Sequence, residues 1–448
     1  MVDPRALARE LYAAAIAGAD PEAAARSAVA RLTPAPTPGA RTWIIAIGKA
    51  SIAMTSGAVR TLVDRGIVPA GGVVVAPSAA PSPHPAVEVI VGDHPVPGAR
   101  SLAAARAIGE IVARVRPGDL VLALISGGGT SLAAAPDDAA GLTQEDVASL
   151  YRSLLRSGAD IATMNAVRKR LTRWGAGRLA RALAGARLVC LAASDVAHDD
   201  VAVISSGPCS PDPVTAPTLV GSLQAAGLWS AIPGAARMAL EAAARGELPE
   251  TPKPSDPAFR QVTTRVILAN AQALAATAAR ASALGIDEVV VATAPLIGEA
   301  SICGVRLASE LLALRKRERL PKLTRCVIWG GETTVTLGPA PPATDGSPRG
   351  GRNQELALAA ARSLGDAGDR AEGVVLLAAG TDGRDGPTDA AGAIVDRWTW
   401  SAIGSAGRDP AADLACHDAY DALDAAGALL RTGPSGTNVM DVVIGLLL

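Results

Sequence analysis

Leu120-Val121-Leu122-Ala123-Leu124-Ile125, followed by Ser126-Gly127-Gly128-Gly129-Thr130-Ser131-Leu132, is the stretch on which the reading of this chain turns. Six consecutive aliphatic residues bounded by a glycine-rich turn predict a strand buried on both faces. The three glycines allow a tight exit from that strand and leave room for close approach of an anion. A helix is expected next. The same strand–turn–helix unit stands at Trp43-Ile44-Ile45-Ala46-Ile47, where Gly48 and Lys49 follow. Further buried-strand candidates are 72–75, 188–192, 266–269, 288–291, 326–329 and 374–378, with Ala-rich helical segments such as 99–116 and 143–157 between them. Strands alternating with helices predict an α/β fold with mostly parallel sheets. In such sheets ligands bind beyond the carboxyl ends of the strands, so the residues just after each apolar run are where chemistry is sought.

Composition narrows the function. The chain has 448 residues, 49% of them hydrophobic and 19% charged, which is the make-up of a folded globular protein. Aromatic residues are only 2%, so the core must be built from Ala, Val, Leu and Ile, and base-stacking platforms are not expected. Lys and Arg total 42 against 43 Asp and Glu, a net charge of −1. No basic field exists to attract nucleic acid or an anionic membrane. The five cysteines (Cys190, Cys209, Cys303, Cys326 and Cys416) are scattered and include no C-x-x-C pair, which suits a reduced, cytoplasmic protein. Charges at Asp3, Arg5, Arg9 and Glu10 interrupt any signal-like segment, and no apolar run approaches the roughly 20 residues of a membrane helix.

Along the chain, 4–32 reads as amphipathic helix with a restart at Asp20-Pro21. The Pro-rich run 33–39 is a break, 246–257 reads as a linker, and 339–351 reads as a mobile loop. The apolar run 442–448 is expected to be a packed strand.

Several of the turns carry chemistry. Lys49 sits where a helix start could help it hold an anion, although this is no Walker A loop: Trp43 stands at the first glycine position and Ala50 follows the lysine. Ser126, Gly127, Gly128, Gly129 and Thr130 suit a phosphate or carboxylate cradle, but Leu132 breaks the dinucleotide fingerprint. Asn165, Arg168, Lys169, Arg170 and Arg173 recur at helical spacing; a solvated face is the default expectation, and support for an anionic ligand the functional one. Asp195, after Ser194 and near Asp199 and Asp200, could hold Mg²⁺ through oxygen, or simply form an Asx-turn. The four histidines do not cluster as a transition-metal site requires. Glu332 follows a strand, Arg352 opens a helix against the macrodipole, and Asp382 and Asp385 lie in an acidic loop without EF-hand spacing. Glycine turns, a lysine, an arginine and several aspartates are the tools of phosphoryl transfer. No Ser-His-Asp arrangement and no G-x-S-x-G elbow is present. The residues themselves lead to an α/β enzyme for a small anionic, phosphorylated ligand.

The pieces IGKAS, GDHPVPGARS, SGGGTSL, NAVRKRL, SDVAHDD, SSGP, TPKPSDP, GGETTVTLG, GGRNQELAL, GTDGRDGPTDAAGAIVD and TGPSGTNVMD occur in this order. Together they resemble the MOFRL-type glycerate kinase family over nearly the whole chain. The resemblance implies two α/β domains, a Rossmann-like one over 1–250 and a MOFRL domain over 258–448, with the active site in the cleft between them. It implies ATP and Mg²⁺ as partners and D-glycerate as the substrate, phosphorylated at its 2-hydroxyl. It makes Lys49 and Arg352 the catalytic pair. Ser126 to Thr130, Asn165, Arg168 and Ser194 are then expected at the nucleotide. Chemistry rather than resemblance suggests Asp195 and Glu332 for the metal, and Asp382 or Asp385 to orient or deprotonate the substrate hydroxyl.

The chain departs from the family's usual pattern at Thr130, Gly175, Ala197-His198, 415–420 and Met440. An NAD(P)H-dependent hydroxypyruvate reductase is the alternative, since that label is used within the family, but G-x-G-x-x-G and its acidic ribose partner are missing. A non-catalytic binding protein is a third class. Small-molecule partners are expected, with no nucleic acid and no membrane; a homo-oligomer is left open.

Overall fold

Among the described residues the aliphatic runs form strands, and the strands sort into two six-stranded sheets. The computed structural model describes residues 3–32, 39–317, 323–337 and 349–448. They divide into two compact units: Pro21–Leu268, and Met1–Asp20 together with Ala269–Leu448.

In the first unit the strands are β1 (Thr42–Ile47), β2 (Gly71–Ala76), β3 (Val87–Val91), β4 (Leu120–Ile125), β5 (Arg187–Ala193) and β6 (Val262–Leu268). Their order is β3-β2-β1-β4-β5-β6, and every pair is parallel. This is the Rossmann order expected for the N-terminal part, and its direction reverses between β1 and β4. All six residues of β1, β2 and β4 are buried, as continuous apolar runs require. The crevice of the switch point lies at the carboxyl ends of β1 and β4, where Lys49 and the glycine turn stand. A separate layer of helices, Gln144–Arg156, Ile161–Leu171, Ala216–Ala225 and Gly234–Ala244, has its own apolar core around Leu150, Leu154, Val167 and Leu223.

The second unit holds β7 (Glu288–Val291), β8 (Arg325–Gly331), β9 (Val374–Gly380), β10 (Gly392–Asp396), β11 (Leu429–Leu430) and β12 (Asp441–Leu447), in the order β11-β10-β9-β12-β8-β7. Here the expectation of mostly parallel sheets fails. β7 and β8 are parallel, but the pairs made by β10 with β9 and β11, and by β12 with β8 and β9, are antiparallel. The physical reason is connection length. Parallel neighbours need a long crossover, whereas β9 and β10 are joined only by the loop 381–391, which contains no helix. The terminal apolar run is a packed strand as expected, and it lies in the middle of this sheet.

Alanine content shapes the packing. Helix Arg352–Ala367 is buried on nearly every side, with Leu356 through Ala361 all inaccessible. Small side chains allow helix Ala300–Arg317 to approach so closely that a Cβ on Gly304 would meet Leu356 O at 2.1 Å.

The expected division at 250–258 falls elsewhere. β6 completes the first sheet, and the proposed linker 246–257 is tied into that unit. The Thr251 hydroxyl, 1% exposed, donates to Asp212 at 3.0 Å. Lys253 Nζ donates to the carbonyls of Asp212 at 3.0 Å and Val214 at 2.6 Å. Polar composition suggested solvent, but these polar groups have internal partners. The Asp20-Pro21 restart instead marks where the chain leaves one unit for the other. Helix Pro4–Gly18 packs with the second unit through Gly18, where an added Cβ would lie 2.2 Å from Ala276 Cβ. Most of the breaks expected at 33–39 and 339–351 lies outside the described residues. Among the described residues no helix is long and apolar enough to cross a membrane.

Candidate functional site

At the β1/β4 crevice the two turns are laced together. The Lys49 amide donates to Gly127 O at 2.8 Å and the Ala50 amide to Ser126 Oγ at 3.0 Å. The Asp195 carboxylate, from the turn after β5, lies so close that a Cβ on Gly127 would meet its Oδ2 at 1.6 Å. Only glycine fits there. Gly128 is left-handed at φ 85°, and a Cβ on it would stand 3.3 Å from Lys49 Cγ and 3.7 Å from His94 Nε2. The Gly129 amide does not face open space: it donates to Ser205 Oγ at 3.1 Å. Ser206 Oγ donates to Thr130 Oγ1 at 3.0 Å, and the Tyr151 hydroxyl to Thr130 O at 2.7 Å. Ser194 Oγ turns back to Val196 O at 3.3 Å. Asp200 accepts from the Ala202 amide at 2.9 Å, the Asx-turn geometry.

The basic cluster is not the solvated face expected by default. Arg168 is 7% exposed and Arg170 is 3% exposed. Lys169 pairs with Asp212 at 3.0 Å, and Arg170 pairs with Asp212 at 3.5 Å and with Glu250. The spacing that put them on one helix said nothing of the helices packed over it. Asn165, one turn before Arg168, is half-exposed. Burial pushes the His94 pKa down, and the nearby charges of Lys49 and Arg168 push it further, so the imidazole is neutral at neutral pH.

The second unit carries a different cluster. Arg352 opens helix Arg352–Ala367 and forks onto Asp441, with Nε to Oδ2 at 2.6 Å and Nη2 to Oδ1 at 2.8 Å. Its Nη1 meets Glu332 at 3.0 Å. Burial opposes the Arg352 charge, but Asp441 and Glu332 outweigh it and hold the guanidinium protonated. Asp385, 2% exposed, accepts from the amides of Asn353 at 3.2 Å and Gln354 at 2.8 Å, capping the helix from a distant loop. Burial, and then the Asp441 charge, raise its pKa to about 6. Asp382 is half-buried and accepts from the Arg384 amide at 3.1 Å. A Cβ on Gly380 would touch both Asp382 Oδ1 at 3.2 Å and Asp441 Oδ1 at 3.4 Å, so these carboxylates flank the end of β9. The Tyr12 hydroxyl donates to Gly380 O at 2.7 Å.

Lys49, Ser126 to Thr130, Ser194 and Asp195 thus gather at one set of strand ends, with Arg168 near by. Glu332, Arg352 and Asp382 gather at another. Asp385 does not join them as an open carboxylate; its oxygens serve the helix amides. Asp195 and Glu332 belong to different units, and among the described residues no three His, Cys, Asp or Glu side chains group as a metal site. Sequence reasoning missed Asp441, His94 and Tyr12. Asp441 and His94 lay inside quoted motifs, so the signal was present without a chemical role; Tyr12 gave none.

A model described as "Domain of unknown function (DUF4147)" matches residues 7–241, and the MOFRL family model matches residues 325–441. A D-glycerate 2-kinase of Thermotoga maritima is 37% identical over 91% of this chain and 91% of its own length. A protein of Agrobacterium vitis named for hydroxypyruvate reductase is 38% identical over 98% of this chain and 94% of its own. The crystal structure of a glycerate kinase from Thermotoga maritima superposes with a TM-score of 0.81 at 35% identity, covering 99% of each chain.

Proposed function

Because this chain belongs to the MOFRL-type glycerate kinase family, we propose that it phosphorylates D-glycerate at the 2-hydroxyl, converting ATP to ADP and releasing 2-phospho-D-glycerate. The observation that carries the reading furthest is the place of Lys49: a lysine at the switch point of a 3-2-1-4-5-6 sheet, its amide tied to the glycine turn. In this reading Lys49 steadies the transferring phosphoryl group, and the turn Ser126 to Thr130, with Asn165 and Ser194, serves the nucleotide. Arg352 neutralises developing charge, pre-oriented by Asp441. Asp382 suits the role of orienting the substrate hydroxyl better than Asp385, whose oxygens are occupied by amides. Mg²⁺, when bound with the nucleotide, would offset the phosphate charge. Asp195 fits an ion that keeps most of its waters and takes one carboxylate; Glu332 fits less well because it pairs with Arg352. A reducing, cytoplasmic setting belongs to the same reading, since all five cysteines are free thiols.

The Rossmann strand order and the relative named for hydroxypyruvate reductase favour one competitor, a nicotinamide-dependent reductase. Against it, the turn after β1 reads Gly48-Lys49-Ala50-Ser51 rather than the dinucleotide fingerprint. The test is direct. Purified protein is given D-glycerate, Mg²⁺ and ATP, and in parallel hydroxypyruvate with NADH or NADPH. ADP formation without nicotinamide oxidation is the expected result; the reverse overturns the kinase. Phosphorus NMR of the product checks the position, and a 3-phosphate ester would overturn that part.

A further inference from the structure

Arg168 is the anomaly of the first unit. Its helix neighbours Lys169 and Arg170 are both matched to carboxylates, Asp212 for each and Glu250 for the second. Among the described residues Arg168, 7% exposed, has no ion pair. Its Nη2 reaches Met164 Sδ at 3.9 Å and its guanidinium lies 4.5 Å from the centre of the Tyr151 ring. Its Nε is buried with no hydrogen-bond partner among the described residues. A buried charge left in this state is costly unless something of opposite sign completes it. The surroundings are basic as well. Lys49 and His94 meet at Gly128, where an added Cβ would lie within 3.3 Å of one and 3.7 Å of the other. Arg168 reaches the same glycine turn through Tyr151, whose ring it covers and whose hydroxyl donates to Thr130 O at 2.7 Å.

We propose that Arg168 and His94 form the subsite for the carboxylate of the hydroxy-acid acceptor. The Nε edge of the guanidinium takes two coplanar oxygens, and the imidazole adds a hydrogen bond. An Nε–Nη fork matches a planar carboxylate, while the neighbouring glycine turn remains for phosphate. The identity of the acceptor rests on the kinase reading; the anion subsite itself does not. Arg168 is thereby moved from the nucleotide, where the sequence reading expects it, to the acceptor.

The experiment varies D-glycerate and ATP independently in steady state, using the full chain. It also titrates D-glycerate and L-lactate calorimetrically, with and without ADP. Arg168→Lys and Arg168→Met are expected to raise KM for glycerate about 10- to 100-fold, the loss of a charge-assisted pair, and to leave KM for ATP unchanged. His94→Gln should give a smaller increase in the same constant. Arg168→Met should melt above the wild type, because it removes an uncompensated buried charge; a purely structural arginine would lower the melting temperature. A change confined to KM for ATP, unaltered glycerate affinity in folded Arg168→Lys, or no carboxylate binding by the wild type would each overturn the subsite. Carboxylate binding that depends on Arg168 in a protein that transfers no phosphoryl group would uphold the subsite and remove the kinase reading.

Discussion

Arg352 and Arg168 are arginines on helices of the two units, and their charges are handled in opposite ways. Arg352 is held by a bidentate pair with Asp441 and a second contact to Glu332. Arg168 is more deeply buried and has an aromatic face and a thioether in place of a carboxylate. The first arrangement is complete without a ligand and keeps the cation oriented. The second is incomplete, and its cost is recovered only when an anion arrives. In the proposed reading, pairing separates a preorganised catalytic cation from a binding cation better than exposure does.

The largest expected effect is on turnover. Lys49→Ala or Arg352→Ala should lower kcat by about a thousandfold, the scale of losing a donor aimed at transition-state charge. Asp441→Asn should cost about a hundredfold by loosening the Arg352 fork, again by analogy with such donors. Rates of ADP release check all three, and near-wild-type turnover in any of them removes that residue from the argument.

The second effect concerns Asp385 and is read through pH. Its pKa is raised to about 6 in the folded chain, against about 3.9 for an unfolded aspartate. Between these values the folded state binds the extra proton, so stability from this group is fully present below pH ~4 and declines as pH rises to ~6. The swing is on the order of 3 kcal/mol. Asp385→Asn should therefore gain on the wild type in urea unfolding as pH is raised across that window. A difference independent of pH would break the claim.

A third effect tests the crevice. Gly127→Ala drives a methyl into Asp195 and should cost about 2 kcal/mol; adding Asp195→Gly should restore most of it. The smallest effect is local. Helix Gln144–Arg156 is capped by its own capping box, Thr143 with Asp146, and Thr143→Ala should cost about 1 kcal/mol by chemical denaturation. Helix Arg352–Ala367 relies instead on the remote Asp385, so the contrast between the two caps can be measured directly.

Much of the first unit was legible because its signals are local. The run 120–125 is a strand over the same residues, the turn after it has the left-handed glycine its composition suggested, and Lys49 stands at the switch point. Less of the second unit was legible. β10 and β11 are short and lie in glycine- and alanine-rich chain, so no long apolar run announced them. The acidic loop marks Asp385 as a reacting carboxylate, but the helix start that buries it lies in another segment. The basic helix 161–171 was expected to face solvent because periodicity reports which residues share a face, not what covers it.

By itself the sequence determined the α/β class, most strands, the glycine turns and the family, because backbone preference and hydrophobic runs act between near neighbours. Only the tertiary structure decided that, among the described residues, Arg352 is paired while Arg168 is not, that Asp385 caps a helix, and that the second sheet is largely antiparallel. Each of those facts depends on segments far apart in the chain: Asp441 lies 89 residues beyond Arg352. Burial and charge pairing are properties of what meets in space, and residue order alone does not specify them.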